Sequence, residues 1–282
     1  MITLGATTWS EHQALLPDIS RPLTLAEYAA FFPVVEIDTF FYAIPAQKTV
    51  RNWQKQVPKE FKFVVKAHRS MTGHVKEKVE LATLKQTFRA FKEALVPLRE
   101  TNQLTAVLFQ FPPFFTPTKK SINYLRQLRT WLPEIAICVE FRAQSWYRPE
   151  TLPSLVEFCQ TQHLTLTAAD EPSQTEASVP FKPIVTTPEL FFMRLHGRNQ
   201  HGWSKKGPNW RKERTLYRYS ETELTEFKDI INGLQGQVNE ICVIFNNNSG
   251  GDAAPNALTL KEMLGIDFDG LAPKPPTQLK LI

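Results

Sequence analysis

Short β-branched and aromatic runs alternate along the chain with stretches in which apolar residues recur every three or four positions. Eight runs read as strands: ITLGATTW (2–9), VVEIDTFF (34–41), FKFVVKAH (61–68), LTAVLFQF (104–111), IAICVEFR (135–142), LTLTAAD (164–170), LFFMRLHG (190–197) and EICVIFNN (240–247). Between them, Leu81, Leu84, Phe88, Phe91 and Leu95 trace one stripe of a helix, and Ser220 with Glu223 forms a capping box ahead of a second. Alternation of this kind predicts parallel strands joined by crossover helices, and eight strands predict an α/β chain of TIM-type (β/α)8 barrel form. One domain spanning residues 1–282 is expected. The connection after the sixth strand is predicted to be irregular, because Pro172, Pro180, Pro183 and Pro188 oppose a regular helix there.

The strands share a second feature. They begin apolar and end in charges two residues apart, which places both side chains of each pair on one face. The pairs are Glu36 and Asp38, Lys66 and His68, Glu140 and Arg142, Arg194 and His196; Gln110, Asp170, Asn246, Asn247 and Asn248 extend the set. In a barrel such ends converge at the C-terminal mouth, where barrel enzymes assemble their sites. A buried charge needs a partner, so a structural ion network closing the core is the competing reading. Taken singly, His196 is as well explained by a bond to a neighbouring carbonyl as by proton transfer. His68 and His74 read as loop residues, and His12, His163 and His201 as surface ones.

Composition adds limits. With 42% hydrophobic and 22% charged residues, the chain is of ordinary globular type. It has no apolar run near the roughly 20 residues that cross a bilayer, and MITLGATTW lacks the features of a signal peptide. No membrane association and a cytoplasmic location are expected. Cys138, Cys159 and Cys242 lie far apart and form no C-x-x-C pair, so buried free thiols are expected. The net charge of +5 is local: residues 198–218 hold seven Lys or Arg and one acid, 7 − 1 = +6, leaving −1 for everything else.

The runs VEIDTFFY (35–42), Trp53 followed by FKFVVKAHRSMTGH (61–74), FQFPPFF (109–115), EFRAQSW (140–146), FMRLHGR (192–198) and FNNNSGGDAAPNA (245–257) resemble the YecE-like family, domain of unknown function 72. The likeness spans nearly the whole chain in order. It implies a TIM-type barrel of bacterial cytosolic origin with no settled activity. The family's characteristic polar residues fall on Glu36, Lys66, Gln110, Glu140, Arg142, Asp170, Arg194, His196, Asn246 and Asn247. The chain departs from the family at Ala143, where a histidine often follows EFR, and at Thr72-Gly73-His74, where Gly73 interrupts a Thr-His pair.

These residues lead to an enzyme of hydrolase or lyase type acting on a small anionic or phosphate-bearing ligand. Arg142, Arg194 and Lys66 would hold the anion, Glu140 or Asp170 would exchange protons with help from His196, and Asn246 and Asn247 would donate hydrogen bonds. Glu36 and Gln110 belong to the same site. Trp9, Phe40, Phe41, Tyr42, Phe111, Trp146 and Trp203 stand at or beyond strand ends; Trp9 and Trp146 in particular are expected to wall a ring-bearing ligand, with helix packing as the alternative. No cofactor and no metal are expected. A metal-dependent hydrolase or isomerase, liganded by Glu36, Glu140, Asp170 and His196, is the second reading, although three nearby cations oppose it. A nucleic-acid-binding protein using residues 198–218, whose cations interleave with Trp203, Trp210, Tyr217 and Tyr219, is the third.

Overall fold

A computed structural model describes residues 1–75, 77, 79–173, 178–205, 207 and 210–275. Its strands are β1 (Ile2–Thr7), β2 (Val34–Ile37), β3 (Lys62–Lys66), β4 (Leu104–Phe111), β5 (Ile137–Phe141), β6 (Leu164–Leu166), β7 (Ala168–Asp170), β8 (Leu190–Leu195) and β9 (Glu240–Phe245). All are parallel, in the order β6-β5-β4-β3-β2-β1-β9-β8-β7. β6 and β7 are two halves of the predicted sixth strand, separated at Thr167. The first half pairs with β5 and the second with β8, so one interrupted strand brings the sheet round to a nearly closed barrel. The outer helices are α1 (Leu25–Tyr28), α2 (Gln47–Gln54), α3 (Leu81–Glu100), α4 (Lys119–Trp131), α5 (Leu152–Thr161), α6 (Gln200–Ser204), α7 (Trp210–Arg214), α8 (Glu221–Leu234) and α9 (Ala253–Leu264). Among the described residues, no helix is long and apolar enough to cross a membrane.

Local chemistry accounts for most boundaries. The Ser220 hydroxyl accepts from the Glu223 amide while the Glu223 carboxylate accepts from the Ser220 amide, which starts α8 at the expected place. The stripe on α3 is buried from Phe88 onward, whereas Leu81, in its first turn, is 53% exposed. The second strand is shorter than predicted, ending at Ile37; residues 39–41 turn as a 3-10 helix that drives Phe40 outward against Phe91 of α3, centroids 5.6 Å apart. No helix occurs in the described residues between β7 and β8, as the four prolines require. His12 corrects the sequence reading: it is fully buried, with Nε2 3.1 Å from the Thr7 carbonyl.

Two apolar layers follow from the parity of the strands. The larger lies between the strands and the helices. The smaller fills the barrel and consists of Val34, Val64, Ala106, Leu108, Cys138, Leu190, Phe192, Cys242 and Ile244. Each of these strands then continues inward, two residues on, with a polar side chain: Glu36, Lys66, Gln110, Glu140, Arg194 and Asn246. The apolar interior therefore carries a polar layer on its C-terminal side.

Candidate active site

The polar layer is organised around Arg194, whose side chain is completely buried. Its Nη2 and Nε donate to the two Glu36 oxygens at 2.6 and 2.8 Å, and its Nη1 donates to Glu140 at 2.7 Å and to Gln110 at 3.4 Å. Burial pushes the Glu36 carboxyl up to about 7 against the pull of Arg194. Burial also opposes ionisation of Glu140, but Arg142 and Arg194 outweigh it and hold this carboxyl well below the usual range.

Above this floor, Arg142 pairs with Glu140 at 2.6 Å and with Glu171, and its Nη2 lies 3.0 Å from His196 Nε2. Arg194 Nη1 approaches the same nitrogen at 3.3 Å. Nε2 also lies 3.3 Å from Glu140 Oε1, while Nδ1 lies 2.7 Å from the Asn246 amide nitrogen, whose oxygen accepts from the Thr7 hydroxyl. Burial and then Arg142 lower His196 to about 3. The imidazole is neutral at physiological pH.

These side chains open into a cavity of about 710 Å³ at the C-terminal mouth. Its lining includes Thr7, Asp38, Lys66, Gln110, Arg142, His196 and Asn246, joined by Thr8, Glu11, Phe41, Tyr42, Phe114, Trp203, Trp210, Lys212 and Arg214. Lys66 lies 3.5 Å from Asp38, and although burial raises Asp38, Lys66 and Arg194 hold it below its ordinary value. Thr8, at φ +58°, occupies a conformation costly for a β-branched residue, and its buried hydroxyl has no partner among the described residues. Arg214 lies over Trp203 and Trp210, 4.7 and 4.4 Å from their centroids, with no carboxylate partner among the described residues and its Nε unbonded. Burial, then Arg142, lowers its affinity for a proton. The backbone holds Arg214 in place: Asn199 donates to the Glu213 carbonyl, and Gly202 packs so closely that an added Cβ would lie 2.3 Å from that oxygen.

Other predicted residues sit elsewhere. In the sixth strand the inward positions are odd, since Thr165 bonds Cys138 in the barrel interior. Glu171 therefore faces Arg142, and Asp170 points outward to Arg198 Nε at 2.9 Å and to the Tyr219 hydroxyl at 2.7 Å; burial raises it to about 6. Asn247 is likewise outward, bonded to the Tyr217 carbonyl and to Asn256. Trp9 packs edge-on against Trp53 at 5.7 Å, and Trp146 stacks on Phe141 at 4.4 Å, its indole donating to the Phe115 carbonyl; neither lines the cavity. In the basic segment, Arg198 is held by Asp170, Glu223 and Glu226, Lys205 by Glu213 and Arg218 by Asp252. Lys206 and the Arg211 side chain lie outside the described residues. Glu171, Thr8, Glu11, Lys212 and Arg214 were missed as individual site residues. The Leu-Thr alternation of 164–167 marked the odd parity that selects Glu171, but no comparable local signal marked Arg214.

The donor atoms of Glu140, Glu171 and His196 lie within 4.8 Å of one another, a spacing suited to a divalent ion. The Arg142 guanidinium contacts all three and fills the role such an ion would have, so the set does not fit a metal while Arg142 is in place.

The family described as protein of unknown function DUF72 matches residues 3–279. The chain is 39% identical over 277 residues to UPF0759 protein YunF of Bacillus subtilis strain 168, covering 97% of this chain and 98% of that protein. It superposes on the crystal structure of a DUF72 family protein from Enterococcus faecalis V583 with a TM-score of 0.91 and 39% identity, over 98% of this chain and 100% of the other. A DUF72 family protein from Thermotoga maritima MSB8 gives 0.78 and 31%, over 94% and 100%. The nearly closed barrel, its polar mouth and this agreement along the whole sequence lead to one conclusion: the chain belongs to the DUF72 family of proteins of unknown function.

Proposed function

We propose that the protein is an enzyme of hydrolase or lyase type that binds a small phosphate-bearing or otherwise anionic substrate at the C-terminal mouth of its barrel. The observation that carries this reading is Arg214. It lines the cavity, two indole faces fix its plane, and it has no carboxylate partner among the described residues. Aromatic faces orient a guanidinium without neutralising it, so its charge is left for an anion. Lys212 and Lys66 line the same cavity. Arg142 serves differently from the anion clamp expected of it: both terminal nitrogens are engaged by Glu140, Glu171 and His196, so it supplies field and positions the imidazole.

Proton exchange falls to the groups that reach the cavity, His196 and the ionised Asp38, whereas Glu140 and Asp170 are held by arginines. An anion beside Arg142 would offset the charge that helps depress His196 and make the imidazole a stronger base once substrate is bound. The nucleic-acid reading is weaker, because Arg198, Lys205 and Arg218 of the basic segment are already paired with carboxylates.

Thermal melts with and without phosphate and sulfate test the proposal. An anion that binds only the native state raises the melting temperature with its concentration. Arg214→Gln should weaken phosphate binding by roughly ten- to hundredfold, the range of a charge-assisted hydrogen bond of about 1.5–3 kcal/mol, with little change in the unliganded melt. Absence of any anion-dependent shift in the wild type would overturn the reading. A steeply salt-dependent affinity for oligonucleotides, lost on removing Lys212 and Arg214 while phosphate binds neither protein, would favour the nucleic-acid alternative.

A further inference from the structure

The two sides of the mouth differ in chemistry. In the barrel order, β3 stands opposite β8, with β4, β5 and the interrupted sixth strand (β6 and β7) on one way round and β2, β1 and β9 on the other. The loops after β2, β3 and β4 bring Phe41, Tyr42, His74 and Phe114 to the cavity, whereas the segment after β8 brings Lys212 and Arg214, with Trp203 and Trp210 occupied beneath the Arg214 guanidinium. An aromatic rim thus faces a cationic one.

The aromatic rim holds an unusual share of exposed ring surface. Phe114 is 71% and Tyr42 54% exposed, and among the described residues these are the aromatic side chains within the exposed large hydrophobic set; both line the cavity. Phe114 follows Pro112-Pro113, which also line it, and the two fixed proline φ angles stiffen the backbone leading to the ring. Phe41 packs edge-on against both Tyr42 and His74, each 5.2 Å away, which sets the base of the rim. Leaving large rings in water has no folding benefit, and exposed apolar surface beside a concave polar site marks a binding surface. A cavity of about 710 Å³ also exceeds what a lone inorganic phosphate fills.

We infer that the ligand is bipolar: a phosphate monoester whose organic part carries a planar ring, as in a mononucleotide or an aryl phosphate, with its ring against Phe114 and Tyr42 and its phosphate toward Arg214 and Lys212. This inference rests on the anion-binding reading above and narrows its substrate class.

The experiment measures binding of four probes, inorganic phosphate, ribose 5-phosphate, adenosine and AMP, to the wild type, Phe114→Ala and Tyr42→Ala by calorimetry and thermal shift. Phe114 is exposed, so its removal leaves folding intact, and an unchanged unliganded melt checks this. The inference expects AMP to bind at least tenfold more tightly than ribose 5-phosphate, and Phe114→Ala to remove most of that advantage while phosphate binding stays as it was; one stacked ring is worth about five- to 150-fold. Equal binding of AMP and ribose 5-phosphate overturns the bipolar ligand and leaves the anion site standing. Equal binding of adenosine and AMP overturns the phosphate pole. Failure of every phosphate-bearing probe overturns the anion site and this inference together.

Discussion

Arg194→Met tests whether the polar layer is held by its central cation. In the folded protein Arg194 makes two short bonds to Glu36 and one to Glu140. After the substitution Glu140 still has Arg142 at 2.6 Å, but Glu36 loses the cation bonded to it, because Lys66 pairs with Asp38 instead. The penalty therefore concentrates on one fully buried carboxylate. Stranding it costs about 3–5 kcal/mol. At roughly 2–4 °C per kcal/mol for a chain somewhat smaller than this one, the melting temperature should fall by roughly 6–20 °C at pH 7. Adding Glu36→Gln removes the stranded charge, so the double variant should recover most of the loss. The pH dependence gives an independent reading. Without Arg194, the folded pKa of Glu36 lies further above its unfolded value, so the folded state binds the extra proton and the defect should shrink as pH falls toward 5. Calorimetric melts of the four proteins across pH 5–8 measure all three effects. A single variant within about 1 kcal/mol of the wild type, or a double variant no better than the single, would refute the reasoning.

His196, lowered to about 3 in the fold, binds fewer protons there than when unfolded, so its contribution is present above about pH 6.5 and is lost as pH falls toward 3; His196→Asn should flatten this acid limb of stability, which has a slope of at most about 1.4 kcal/mol per pH unit. Gly197, at φ +93° with Tyr217 Cβ 2.5 Å from where its own Cβ would be, should not tolerate alanine: Gly197→Ala is expected to cost about 1–3 kcal/mol from backbone strain alone, read by urea unfolding. Arg142→Ala removes the cation shared by Glu140, Glu171 and His196 and should create zinc binding at one ion per chain by elemental analysis, absent in the wild type and lost again on adding Glu171→Gln.

The fold was legible because strand periodicity and the apolar-to-polar change along each strand come from the same constraint, a dry barrel interior opening onto a wet mouth. That constraint located Glu36, Lys66, Gln110, Glu140, Arg194 and Asn246, all of which continue the inner layer. Asp170 and Asn247 show where it fails. Both follow an inward run in sequence, but a parity error of one residue sends a side chain to the helix layer, and the break at Thr167 together with Thr165 facing Cys138 makes the sixth strand odd where its neighbours are even. Phe41, Tyr42 and Trp203 do line the cavity, whereas the assignments of Trp9 and Trp146 failed for a related reason. Trp9 and Trp146 lie past strand ends, yet each meets another ring in the outer shell, and which ring it meets depends on tertiary contacts that no local pattern records.

Structural and functional charge at the mouth can be separated by what answers each cation. A barrel end that had only to be closed would pair every buried guanidinium with carboxylates, as happens for Arg194 with Glu36 and Glu140, for Arg142 with Glu140 and Glu171, and for Arg198 with Asp170. Such pairs contribute little net stability, because desolvation offsets most of their attraction, but they fix side-chain positions. Arg214 is treated otherwise. It stands half-buried near Arg142, which repels it, and the faces of Trp203 and Trp210 hold it without cancelling its charge. Thr8 keeps a strained backbone and an unbonded hydroxyl beside the same cavity. Neither feature is needed to close the barrel end, and both leave a polar group beside the cavity that the proposed ligand would enter. Strain and unpaired charge retained at one place, above a floor in which nearly every other charge is paired, are what the proposed binding site would require and what a structural cap would avoid.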